Sequence, residues 1–195
     1  MDIIFATKNK GKLVEVKAIL DKYNVIGMEE AGIHIEVEEN GETFEENAMK
    51  KAVEIMEACG KIVLSDDSGI EIDFLGKEPG VHSARYLGHD TPYSEKNAII
   101  LEKLKDVPME KRSARYVAVI AAAFADGRKF SARGVMEGYI GYEPKGENGF
   151  GYDPIFYLHE YGESTAQIPR EVKNKISHRG KALEAMKAIL QRELS

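Results

Sequence analysis

Apolar residues recur along this chain with two periods, and the switches between them mark the elements. Ile3 to Thr7 reads as a short buried strand, after which Leu13, Val16, Ile19 and Leu20 return at helical spacing, so the chain opens strand, loop, helix with Lys8 to Lys12 as the loop. From Val25 to Val37 the pattern is weak, although Ile33, Ile35 and Val37 alternate as a strand does, and an acidic turn, Glu38-Glu39-Asn40-Gly41, follows. Thr43-Phe44-Glu45-Glu46 has the T-x-x-E form of a capping box, and Ala48, Met49, Ala52, Val53 and Met56 supply the apolar face of the helix it starts. Lys61 to Ser65 is strand-like and feeds into Asp66-Asp67-Ser68-Gly69, residue types that favour a turn.

Beyond that turn Ile70, Ile72 and Phe74 alternate as a half-buried strand, and Gly76 to Gly88 forms a polar, glycine-containing loop. Thr91-Pro92 opens a helix with Ile100, Leu101 and Leu104 on its inner side. The apolar run Arg115 to Ala125 ends at Asp126-Gly127, a hairpin signal, and Lys129 to Val135 returns as its partner. Gly138 to Asp153 is too rich in glycine for regular structure, Ile155 to Leu158 reads as a last strand, and Leu183, Met186, Ile189 and Leu190 form the inner face of a closing helix. Strand-helix units combined with a hairpin predict an α/β fold on a mixed sheet, formed by residues 1–195 as a single domain.

Composition narrows the function classes. Hydrophobic residues at 43% and charged residues at 31% are those of a globular protein, and the net charge of −6 argues against a partner as anionic as a nucleic-acid polymer. The single cysteine, Cys59, has no internal disulfide partner, and the start Met1-Asp2-Ile3 lacks the basic and apolar regions of a secretory signal, which together predict a cytoplasmic protein. No apolar stretch approaches the roughly 18 residues of a membrane span.

Several constellations carry candidate chemistry. Lys8, Lys10 and Lys12 stand between a strand and a helix N-terminus, where backbone N–H groups and the helix dipole favour anions; a phosphate site and a solvated basic turn both fit. The loop is not a Walker A motif, because Leu13 follows Gly11-Lys12 and the earlier glycine is missing. A strand-helix-strand unit brings Glu38 and Glu39 toward the edge that carries Asp66 and Asp67, and like charges that close repel unless a cation intervenes, so a Mg²⁺ site stands beside two solvated acidic turns as an alternative. Gly149-Phe150-Gly151-Tyr152-Asp153-Pro154 suits a flat ligand laid against a ring, or a glycine-rich turn with its aromatics packed inward. No metal-ligand spacing of His and Cys and no G-x-S-x-G elbow occurs.

In order along the chain, Thr7-Lys8-Asn9-Lys10-Gly11-Lys12, Thr43-Phe44-Glu45-Glu46-Asn47-Ala48, Asp66-Asp67-Ser68-Gly69, Pro79-Gly80-Val81-His82-Ser83-Ala84-Arg85, Gly149 to Pro154 and Ser177-His178-Arg179-Gly180 resemble the Ham1-like nucleoside triphosphate pyrophosphatases. That family clears inosine and xanthosine triphosphates, deoxy forms included, from the nucleotide pool. The resemblance implies two lobes flanking a nucleotide-binding cleft on a twisted mixed sheet, and a homodimer. It implies that Thr7, Lys8, Asn9, Lys10, Gly11 and Lys12 wrap the triphosphate with Lys51, that Glu38 and Asp67 hold Mg²⁺ with Asp67 also the general base, and that Ser68 touches substrate. Glu39, adjacent to Glu38, is the alternative ligand. Phe150 would stack on the base with Gly151, Tyr152 and Asp153 beside it, and Lys173, His178 and Arg179 would read the base edge.

Overall fold

The structure, a computed structural model, describes residues 2–7 and 9–194, and of Arg170 the backbone alone. Among the described residues, strands β1 (Asp2–Ala6), β2 (Asn24–Gly27), β3 (Ile62–Ile72), β4 (Ser113–Ala123), β5 (Lys129–Ile140), β6 (Phe156–Leu158) and β7 (Glu163–Ser164) form one sheet in the order β2-β1-β3-β4-β5-β6-β7. Helices are α1 (Lys10–Ile19), α2 (Phe44–Cys59), α3 (Tyr93–Lys103), α4 (Arg170–Ile176) and α5 (His178–Glu193). β1 runs parallel to β2 and β3, whereas β6 runs antiparallel to β5 and β7, so the sheet is mixed as the element pattern predicts. None of these helices is long and apolar enough to cross a membrane.

The chain forms two compact units, one of Met1–Asp67, Ala118–Gly134 and Arg179–Ser195 and the other of Ser68–Val117 and Val135–His178. In the first, Ile3 and Phe5 of β1, Leu64 of β3 and the alternate residues Ala118, Ile120 and Ala122 of β4 bury one sheet face under Val16 of α1, Leu20 at its C-terminal cap, and Leu183, Met186 and Leu190 of α5. Period two on the strands meets period 3.6 on the helices, and the residues that coincide make the core. In the second unit Ile70 and Ile72 of β3, Ala114 and Tyr116 of β4, Met136 and Ile140 of β5 and Phe156 and Leu158 of β6 pack with Ile100 and Leu104. α2 begins as its capping box dictates: Thr43 Oγ1 accepts from Glu46 N at 3.1 Å, and Glu46 Oε2 accepts from Thr43 N at 3.2 Å. It stops at Gly60, whose φ of +65° is a left-handed conformation that glycine adopts without Cβ strain.

Five local expectations are corrected. Asp66-Asp67-Ser68-Gly69 is not a turn: β3 runs straight through it to Ile72, and Ile70 and Ile72 belong to the same strand, both fully buried. Lys10, Gly11 and Lys12 are the first turn of α1 rather than loop, because Asn9 caps the helix. Residues 33–39 alternate in exposure as a strand would but carry no strand assignment. The side chains of α2 hold the end of this segment instead: Asn47 Oδ1 accepts from Gly41 N at 2.8 Å, and Lys50 Nζ donates to Glu38 O at 2.8 Å. Glycine does not end β5, since Gly138 lies within it. A Cβ there would come within 2.6 Å of Phe156 Cζ and also meet the Tyr157 carbonyl, so its bareness lets β6 approach. Finally, β7 and α4 have no counterpart in the element pattern.

Candidate functional site

In the first unit the site residues gather around the start of α1 and the middle of β3. Asn9 has extended backbone and accepts from Gly11 N at 2.9 Å and Lys12 N at 3.2 Å, while Thr7 Oγ1 accepts from Asn9 N at 3.1 Å. The capping amide therefore occupies two of the N–H groups that a helix start offers, and ammonium groups supply much of the anion affinity here. The first turn contains no acidic residue, and Lys12 Nζ donates to Asp66 Oδ2 at 2.7 Å. Lys8 lies outside the described residues.

Asp66 is the electrostatic centre of this group, with a side chain only 1% exposed. Burial alone would raise its pKa, but the charges of Lys12, Arg179 and Lys51 together outweigh that cost and hold it down to about 2. Arg179 Nε stands 3.7 Å from Asp66 Oδ2, and Arg179 Nη1 donates to Glu15 Oε2 at 3.1 Å. Lys51 forms an ion pair with Glu39. The two acidic segments proposed to converge are thus linked through Lys51, which pairs with one and acts on the other. Glu38 is exposed and Glu39 half-buried, in line with the alternation of this segment.

Asp66 and Asp67 are consecutive in a strand and so point to opposite sheet faces. Asp67 is nonetheless 8% exposed, a carboxylate largely withdrawn from water, and Ser68 beside it is half-buried. Ser65 Oγ, on the same side of β3 as Asp67, donates to Ala48 O at 2.5 Å and ties the strand to α2. A cavity of about 900 Å³ in this unit is lined by Thr7, Asn9 and Lys10 with apolar Leu13, Val14 and Ile33, but by none of Lys12, Lys51, Asp66 or Asp67. The polar group, not this hollow, is the candidate site.

The second unit holds the aromatic segment. Gly149 and Gly151 have φ of +77° and +69°, a left-handed conformation open to glycine, and they fold the chain so that Asp153 turns back on Phe150. Asp153 is buried, and its carboxylate receives Phe150 N at 2.8 Å, Lys173 Nζ at 2.6 Å, Thr165 Oγ1 at 2.9 Å and Tyr116 Oη at 3.4 Å. Those donors engage both of its oxygens, so Asp153 acts as a clamp on the loop and on Lys173. Phe150 is 62% exposed, with Lys173 Nζ 5.6 Å from its ring centroid. An exposed aromatic beside a held ammonium offers both a stacking face and a donor. Tyr152 points inward, donating to Ser83 O at 2.7 Å, and Asn97 Nδ2 donates to Gly151 O at 3.1 Å. His178 stacks on Tyr116, ring centroids 4.8 Å apart and planes 10° from parallel.

The structure thus brings Thr7, Asn9, Lys10, Gly11, Lys12, Lys51, Asp66 and Arg179 into one group, and Phe150, Gly151, Tyr152, Asp153, Lys173 and His178 into another. Arg179 stands with Glu15 and Asp66, one residue from His178, which stands with Tyr116. Glu15, Tyr116, Thr165 and Asn97 hold these groups in place, and none is among the residues the sequence singles out. Only Glu15, one turn beyond Lys12 on α1, carried a local signal.

A profile of the Ham1 family matches residues 3–189. The chain is 46% identical over 194 residues to a Desulforamulus reducens protein named "dITP/XTP pyrophosphatase", covering 98% of this chain and 96% of that one. It is 45% identical over 192 residues to an Exiguobacterium sibiricum protein of the same name, covering 97% of each. The solved structure of the Staphylococcus aureus Ham1 protein superposes with a TM-score of 0.92 at 39% identity, covering 99% of this chain and all of that one.

Proposed function

We propose, for a chain that belongs to the Ham1 family, hydrolysis of the non-canonical purine nucleoside triphosphates dITP, ITP and XTP to the nucleoside monophosphate and pyrophosphate. The observation that carries this reading is the group around Asp66. A helix start without acidic residues, Lys10 and Lys12 in its first turn, and Lys51 and Arg179 gathered on the same buried carboxylate form a cationic setting suited to a polyphosphate. The reading assigns the triphosphate to Thr7 through Lys12 with Lys51. Lys12 is kept in place by Asp66, so its ammonium is ordered before substrate arrives.

A divalent metal belongs to this reading, and we take it to be Mg²⁺. Among the described residues no three His, Cys, Asp or Glu converge as a metal-holding group. The donor set still fits, because magnesium keeps several waters and binds through one or two carboxylates plus substrate phosphates. Asp67 and Glu38 would hold it; Glu39, already paired with Lys51, is less suited. When bound, the ion would supply neutralising charge to the phosphates. Asp67 orients a water toward the α phosphorus and accepts its proton; the water oxygen bonds to that phosphorus as the bond to the bridging oxygen breaks, and pyrophosphate leaves with the bond's electrons. Ser68 contacts the same end of the substrate.

The base falls to the second group. Phe150 stacks on it, Gly151, Tyr152 and Asp153 shape the loop that presents Phe150, and Lys173 and His178 donate to the oxygen at purine position 6, a role the family resemblance extends to Arg179. Adenine carries an amino donor there and would leave those donors unpaired, a mismatch that hydrogen-bonded sites reject by up to roughly 10⁴-fold or more. The family resemblance supports a cytoplasmic homodimer. The test is product analysis over a panel of dITP, ITP, XTP, dATP and dGTP with Mg²⁺ and with chelator. Pyrophosphate is expected from the first three in the presence of metal; orthophosphate as the product, or binding without turnover, would refute the proposal.

A further inference from the structure

Tyr116 of β4 has no part in the chemistry above, yet it makes directional contacts with His178, a base-reading residue, and with Asp153, the clamp on Lys173 and Phe150. Its ring lies within 10° of parallel to His178 with centroids 4.8 Å apart, and its hydroxyl stands 3.4 Å from Asp153 Oδ1. Phe156 meets the ring at 60° with centroids 4.6 Å apart, so its plane is fixed from another side. Tyr116 is 8% exposed and belongs to the core of the second unit. A residue placed there for bulk alone requires neither the parallel imidazole nor a hydroxyl aimed at a carboxylate.

We propose that Tyr116 is a positioning residue for base recognition: its ring sets the plane of the His178 imidazole, and its hydroxyl adds a weak restraint to the Asp153 clamp on Lys173 and Phe150. The inference rests on the reading that Lys173 and His178 receive the purine. The two contacts differ in weight. A hydroxyl contact of 3.4 Å is long, and Thr165 already donates to the same oxygen at 2.9 Å, so its loss costs little. The stack is made by the ring itself, so removing the ring removes that contact entirely. Ring and hydroxyl therefore separate by substitution: Tyr116→Phe keeps the stack, and Tyr116→Leu removes it while leaving an apolar side chain in the core.

Equilibrium binding of dIMP, which needs no turnover, and of inorganic tripolyphosphate tests the role by calorimetry on the full chain. Tyr116→Leu is expected to weaken dIMP binding about two- to tenfold, the usual span for one aromatic pair, while tripolyphosphate affinity stays within about twofold. Tyr116→Phe is expected to bind dIMP as the unsubstituted protein does. Should Tyr116→Leu not fold, Tyr116→Met fills the space with a flexible side chain and carries the same expectation. Equal weakening of dIMP and tripolyphosphate, unchanged dIMP binding in the Leu or Met variant, or a Phe variant as impaired as the Leu variant would each overturn the proposal. Pyrophosphate release from dITP by the unsubstituted protein is measured alongside. Its absence with dIMP binding intact overturns the proposed function and leaves the Tyr116 result standing on its own measurement.

Discussion

Asp66→Asn removes one negative charge from a position where Lys12 and Arg179 both approach, and leaves the shape of the side chain nearly unchanged. The carboxyl is held at about 2 against an ordinary 3.8. Such a difference contributes about 2 kcal/mol to stability at neutral pH. Its sign follows from the direction: the folded value is depressed, so the contribution is complete above 3.8 and is lost as pH falls through about 2. Breaking a buried pair also strands its partner, and Lys12 is only 22% exposed, so the full cost at pH 7 lies between about 2 kcal/mol and the roughly 3–5 kcal/mol typical of that event. For a chain of 195 residues this lowers Tm by about 5–15 °C. Urea unfolding of both proteins at pH 7, 5, 4 and 3 reads the effect. The gap is expected to hold from pH 7 to 5 and to lose about half of its charge-dependent part by pH 3. A gap that stays constant over that range, or is missing at pH 7, would refute the account of Asp66 as a carboxylate stabilised by surrounding cations.

Asp67→Asn should abolish pyrophosphate release at saturating Mg²⁺ while leaving the unfolding midpoint within a few degrees; near-normal rates would remove Asp67 from the role of base. Arg179→Ala should lower kcat/KM for dITP far more than for dATP. An equal loss on both would instead assign Arg179 to the phosphate group with Lys12, the company it keeps in the fold. Gly138→Ala places a methyl against Phe156 and the Tyr157 carbonyl and should destabilise by about 1–3 kcal/mol, read by thermal unfolding, since the obstacle is backbone as well as a flexible ring. Four chain crossings, at 67/68, 117/118, 134/135 and 178/179, interleave the two compact units, so we expect one cooperative transition, with far- and near-ultraviolet dichroism superimposing.

What the sequence made legible depends on where each residue finds its partners. Thr43 and Glu46 satisfy each other within one turn, and the capping box they form was readable from four consecutive letters. Asp66 to Gly69 was misread as a turn because Asp, Ser and Gly are turn formers only when their polar groups must be satisfied locally. Here the Asp66 carboxylate is answered by Lys12, 54 residues away, and by Arg179 from the far end of the chain, so a charged residue can sit in the middle of a buried strand. The same remoteness hid the second group. Asp153 reads as part of a glycine-rich loop until Thr165 and Lys173 are seen to donate to it, and Tyr116 reads as one more apolar residue in a β-capable run until His178 lies against it. Local propensity therefore recovered most of the elements, β7 and α4 excepted, and family resemblance named the candidate contact residues. The residues that hold those candidates in place, Asp66, Glu15, Tyr116 and Thr165, act across long sequence separations. No window of the chain displays such partners together, and only the folded arrangement makes their contribution calculable.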